Sequence, residues 1–88
     1  MRVRLKTNHD ITGYAERFNT HGLGEIIVGY DEGDMSSEYI TDYEVLLTGG
    51  IWVDMSEAFK EKHLIYDNYN TRFREPISDE EYQRGWFD

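Results

Sequence analysis

The chain is 88 residues long, about one small domain, and eighteen Asp and Glu against nine Lys and Arg give a net charge of −9. Leu, Ile, Val and Phe fill only 20 of the 88 positions, just above the ~20% below which a highly charged chain stays disordered, and aromatics at 15% of positions tip the balance toward a small folded core. The lack of cysteine excludes disulfides, zinc–thiolate sites, thiol nucleophiles and iron–sulfur clusters; with no run of 18 apolar residues and no apolar segment in MRVRLKTNHD, the expectation is a cytoplasmic protein with no spanning helix or secretory signal.

Val3 and Leu5 alternate with Arg2, Arg4 and Lys6, which predicts a half-buried first strand. Asn8-His9-Asp10 carries turn chemistry, and Ile11 to Phe18 reads as a second strand. Asn19 to Gly24 is a glycine-containing loop. Glu25 to Tyr30 is the strongest strand, with Ile26, Val28 and Tyr30 on one face and Ile27 on the other. Asp31 to Asp34 (DEGD) forms a hairpin turn in which Gly33 can take a positive φ. A fourth strand follows over Met35 to Ile40, then a short turn at 41–43. Val45 to Leu47 and Ile51 to Val53, joined by Thr48-Gly49-Gly50, make a final hairpin.

Beyond Val53 the pattern changes. Asp54 with Glu57 is a capping box, and Met55, Ala58 and Phe59 share one face of a short helix reaching about His63. Residues 64–75 show no clear period and read as irregular with one extended piece. Ser78 with Glu81 forms a second capping-box signature after Pro76. The expected organisation is a single domain: a small antiparallel β unit over residues 1–54, mainly β overall, with a short helix and an aromatic-rich extension over 55–88. Closing the sheet into a barrel is how so short a unit removes its exposed edges.

The charge is partitioned. Residues 18–59 hold nine acids and no Lys or Arg, whereas the first strand carries Arg2, Arg4 and Lys6 on its exposed face. A one-signed field of this kind draws in a basic partner and repels phosphate backbones, although net charge also serves solubility alone. Asp31, Glu32, Asp34, Glu38, Asp42 and Glu44 are the candidate contacts with a protein that presents a basic surface.

The stretch EIIVGYDEGDMSSEYITDYEVLL resembles the centre of an SH3-like barrel of the Tudor and KOW kind. An apolar strand ends in an aromatic at Val28-Gly29-Tyr30. An acidic hairpin follows at Asp31 to Asp34, then a short strand at Glu38 to Ile40 and a turn into Glu44-Val45-Leu46. VRLKTNHDITGYAERF is similar to the two strands that precede these. The resemblance covers residues 2–54 and implies an SH3-like small barrel. A small acidic domain with an aromatic tail also resembles accessory proteins of bacteriophages. That likeness implies an inhibitor in the host cytoplasm whose carboxylates replace phosphates on a nucleic-acid-binding surface.

Two alternatives stay open. A Tudor-like reading gathers Tyr14, Tyr30, Tyr39, Tyr43 or Trp52 into a cage for a methylated side chain or peptide, although Tyr30 and Trp52 sit in apolar strands that favour the core. Trp86 and Phe87, in a tail that mixes aromatics with Arg72, Arg74 and Arg84, have hot-spot composition; Tyr66 and Phe73 are assigned to packing. A KOW-like reading sends Arg2, Arg4 and Lys6 to RNA phosphates, against the sign of the overall charge. The same stripe could instead pair with acids on a neighbouring strand.

The sequence offers no enzyme. Ser36, Ser37, Ser56 and Ser78 lack a nucleophile elbow, and Gly22-Leu23-Gly24 lacks the Lys of a phosphate loop. Asp31, Asp34 and Glu38 do not follow calcium-loop spacing, and His9, His21 and His63 lack zinc-ligand spacing. No cofactor or metal is expected.

Overall fold

The computed structural model describes residues 1–20 and 24–76; the Ser78–Glu81 signature, Trp86 and Phe87 lie outside these residues. Eight strands, one turn of 3-10 helix and one α-helix follow in chain order: β1 (Arg2–Leu5), β2 (Asn8–Phe18), β3 (Glu25–Tyr30), β4 (Met35–Tyr39), the 3-10 turn (Ile40–Asp42), β5 (Tyr43–Leu47), β6 (Ile51–Asp54), α1 (Met55–Lys60), β7 (Ile65–Asp67) and β8 (Arg72–Arg74). The first six strands form one antiparallel sheet in the order β4-β3-β2-β1-β5-β6, and β7 and β8 form a separate hairpin. Among the described residues the hydrogen-bonded sheet thus ends on β4 and β6.

Alternation sets the inner face. Val3, Ile26, Val28 and Val45 are fully buried, and Ala15 and Tyr43 nearly so, while their strand neighbours point outward. The second strand is longer than its sequence suggests. Asn8-His9-Asp10 belongs to β2 rather than to a turn, because Leu5 pairs with Asn8 across a register shift that places the reversal at Lys6-Thr7. A bulge lies further along: Ala15 pairs with Val28 and Arg17 with Ile27, so Glu16 has no partner across the ladder. The extra residue turns Phe18 onto the inner face opposite Ile26; strict period-two alternation would have sent it outward.

That switch assembles an aromatic cluster. The Phe18 ring lies 5.0 Å from Tyr66, 5.0 Å from Phe73 and 5.7 Å from Phe59, and Tyr66 and Phe73 are 4.9 Å apart. Centroid spacings and tilts of this kind are favourable for ring quadrupoles. Tyr66 and Phe73 are buried together with Leu64, Met55 and Ala58 in the same core as the sheet, so both rings pack as their sequence context suggests.

The helix starts as its capping box predicts. Asp54 Oδ1 accepts the backbone N–H of Glu57 at 3.1 Å, and Met55 and Ala58 face the core with Phe59 beside them. It ends at Lys60, short of His63, because Lys62 takes a left-handed φ of 62° and the N–H groups of His63 and Leu64 both turn back to the Ala58 carbonyl. Residues 65–74, expected to be irregular, form the β7–β8 hairpin around Asp67. Its Oδ1 accepts the N–H groups of Tyr69 and Asn70 at 3.0 and 3.1 Å; its Oδ2 accepts Asn70 Nδ2 at 2.7 Å and Arg74 Nε at 3.3 Å. The Asn70 amide and backbone, then Arg74 and the Tyr69 N–H, hold the Asp67 carboxyl down at about 2, because each bond favours the charged form.

Candidate interaction surface

The basic first strand is where the charge pattern resolves. Arg2 donates through Nη1 and Nη2 to the two oxygens of Asp31 at 2.8 Å each, and Thr12 Oγ1 donates to the same carboxylate at 2.6 Å. Arg4 Nε donates to Glu44 Oε1 at 2.8 Å, and its guanidinium stacks 4.3 Å over the Trp52 ring. Lys6 pairs with Asp54. Register explains the last two pairs: Arg4 sits opposite Glu44, which sits opposite Asp54, so the acids of β5 and β6 stand beside the cations of β1.

These contacts shift the groups involved. Arg2, then Thr12, holds the Asp31 carboxyl below the usual range. Burial alone would raise Asp54, but Lys6, Ser56 and the Glu57 N–H outweigh it and hold that group low. Pairs this exposed contribute little to stability. Their larger effect is on register and on which charges remain available. All three cations of the stripe are engaged inside the chain.

The remaining acids define a different surface. Glu32, Asp34 and Asp42 are exposed, and among the described residues none of them belongs to an ion pair. They lie at the β3–β4 turn and just after β4. The turn is compact: Gly33 N–H donates to the Tyr30 carbonyl at 2.9 Å and Tyr30 N–H to Asp34 at 2.7 Å, with Gly33 at φ 101°, a conformation that glycine adopts without a Cβ penalty. Glu38 and Glu25 are half-buried and accept hydroxyl bonds from Ser36 at 2.6 Å and Ser37 at 3.3 Å. Of the six acids singled out in sequence, Asp31 and Glu44 are therefore occupied internally, and Glu32, Asp34, Glu38 and Asp42 pair with no cation among the described residues.

The tyrosines do not gather into a cage. Tyr30 and Tyr43 meet hydroxyl to hydroxyl at 2.7 Å beneath the sheet, with Ser36 Oγ 3.3 Å from Tyr30. Tyr43 is 1% exposed, so it is core rather than a contact residue; burial, then the Tyr30 bond and Glu38, pushes its hydroxyl upward. Tyr39 stands on the opposite face, 57% exposed, opposite Glu25. Tyr14 also faces outward, where the Arg2 guanidinium lies 5.0 Å from its ring. Trp52, expected in the core, is half-buried on the outer face beneath Arg4.

One feature escaped sequence reasoning. β4 is an edge strand that carries Met35 and Tyr39, each 57% exposed. Its sequence, MSSEY, contains no Lys or Pro, and its pairing with β3 runs without a bulge. Of the devices that blunt a sheet edge it carries one charge, Glu38, but no Lys, Pro or bulge.

Among the described residues no cluster of His, Asp and Glu is arranged to hold a metal ion, and no helix is long and apolar enough to cross a membrane. Compared with known proteins, the chain matches no family model, no curated protein and no solved structure.

Proposed function

We propose that this chain is a non-enzymatic interaction module that docks on a basic surface of another protein through the carboxylates around β4. The observation that carries this reading is the unequal use of the acids. Asp31, Glu44 and Asp54 neutralise Arg2, Arg4 and Lys6, while Glu32, Asp34 and Asp42 stay exposed with no cation among the described residues. These exposed acids place negative charge on the β3–β4 hairpin and the turn after it, where it can steer a cationic partner. In its sharper form the partner's basic surface is one that otherwise holds nucleic acid, and these carboxylates replace the phosphates, as in the inhibitors of bacteriophages. The antiparallel strand order and the 3-10 turn between β4 and β5 are in keeping with an SH3-like scaffold whose sheet is left open at β4 and β6.

The test is affinity for an oligolysine peptide over a range of ionic strength. The Glu32→Gln/Asp34→Asn/Asp42→Asn variant is expected to bind more weakly, with a shallower salt dependence, while unfolding at the same denaturant concentration as the parent. Equal affinity and an equal salt slope in parent and variant would reject the reading.

A further inference from the structure

We infer that β4 accepts an extended basic segment of a partner protein as an added antiparallel strand. The inference rests on the acidic docking reading and specifies its geometry. The ladder fixes which groups are open: Tyr30 N–H bonds to the Asp34 carbonyl and Ile40 N–H to the Gly24 carbonyl. Paired residues alternate between bonded and non-bonded, so Ser36 and Glu38, opposite Val28 and Ile26, point their backbone groups at β3. Met35, Ser37 and Tyr39 point theirs away from it. Strand addition uses a row of this kind, with affinity from the main chain and specificity from alternate side chains.

The flanking side chains select the occupant. On the outer face the added strand runs beside Met35 and Tyr39, both 57% exposed, which suits apolar or aromatic residues. On the inner face it meets Ser36 and Glu38, with Asp34 at one end of β4 and Asp42 just beyond the other. Lys or Arg at alternate positions meets these carboxylates. A second copy of the chain would match the same open row, but it brings another −9 and an identical set of acids, so like charge opposes it. The charge favours a basic segment.

The probe is an end-blocked peptide of alternating Val and Lys, about seven residues long, enough to span β4 at ~3.4 Å per residue, titrated into the 15N-labelled full chain. Binding is expected to move the amide signals of Met35, Ser37 and Tyr39 and to weaken as salt rises. In an antiparallel pair the Val residues lie opposite Met35, Ser37 and Tyr39 and direct their own N–H groups at β4. N-methylation of the Val amides is then expected to weaken binding roughly tenfold or more, the loss of several backbone hydrogen bonds, while methylation of the Lys amides leaves it unchanged. Ser37→Pro, which removes the central outward N–H, should act like Val methylation; the two methylated peptides keep the test independent of how that variant folds.

If affinity follows the acids but both methylated peptides bind alike and the shifts lie away from β4, strand addition is overturned and acidic docking stands. If the peptide does not bind at all, both fail. If the β4 amides shift with protein concentration alone, and more at high salt, the occupant is a second copy and the basic segment is rejected.

Discussion

Arg2 and Asp31 meet in a two-pronged pair, with both guanidinium nitrogens 2.8 Å from the two carboxylate oxygens. Arg2 lies on the first strand and Asp31 at the start of the β3–β4 turn, on the far side of β2, so the contact ties the acidic hairpin to the opposite strand. A double-mutant cycle with Arg2→Gln and Asp31→Asn is expected to show favourable coupling that shrinks at high salt, because the pair is solvent-accessible. Urea unfolding of the four proteins at two ionic strengths measures it; coupling unaffected by salt would contradict the assignment.

The aromatic cluster makes Phe73 a structural residue. It is 3% exposed and packs against Phe18, Phe59 and Tyr66. Truncating a buried Phe to Ala typically costs about 3–5 kcal/mol, a large share of the stability of a small domain. Phe73→Ala is therefore expected to be largely unfolded at room temperature and Phe73→Leu folded with a lower midpoint, as followed by near-ultraviolet circular dichroism and urea titration.

Two glycines of the sheet should respond differently to the same change. A Cβ on Gly13 would sit 2.5 Å from the Gly29 carbonyl oxygen, a backbone atom of the paired strand, whereas a Cβ on Gly29 would meet only the end of the Glu16 side chain, at 3.0 Å. Gly13→Ala must push β2 and β3 apart and is expected to cost about 1–3 kcal/mol. Gly29→Ala is expected to cost less, since Glu16 can swing away. Urea midpoints of the two variants decide the ordering.

Asp67 predicts an acid transition. Its folded-state value of about 2 lies below the ordinary 3.8, so in acid the unfolded chain binds the proton more readily and stability rises with pH. The contribution is complete above about pH 4 and is lost as pH falls toward 2. Urea midpoints measured across this window should fall with acidification, and Asp67→Asn should flatten that part of the profile while lowering the midpoint at neutral pH.

The main sheet is largely legible because its strands alternate: the pattern marks β3 from Glu25 to Tyr30, its observed bounds, and Asp54 identifies the helix start by its capping chemistry. The misread parts have local causes. Strands of three residues, such as β7 and β8, are too short to display a period, and Asp67 organises their turn through bonds that no spacing reveals. Lys62 ends the helix in a conformation usually marked by glycine. The bulge at Glu16 reverses the face of Phe18 without a sequence signal. At the surface, residue types alone offered pairing for the basic stripe only as an alternative. Which acid each cation meets depends on the order of β3, β2, β1, β5 and β6, and the open edge of β4 depends on which strands end the sheet.

The central claim is a division between acids paired within the chain and acids left for a partner. It is tested most directly by two variants that remove the same amount of charge: Asp31→Asn/Glu44→Gln/Asp54→Asn and Glu32→Gln/Asp34→Asn/Asp42→Asn. Each is measured for urea midpoint and for affinity to the Val–Lys peptide at low salt. The account predicts that the first variant loses stability chiefly through the lost Asp54 cap of α1 and retains most of its affinity, while the second loses affinity at an unchanged midpoint. Equal loss of affinity in both would contradict it, because binding would then follow net charge alone.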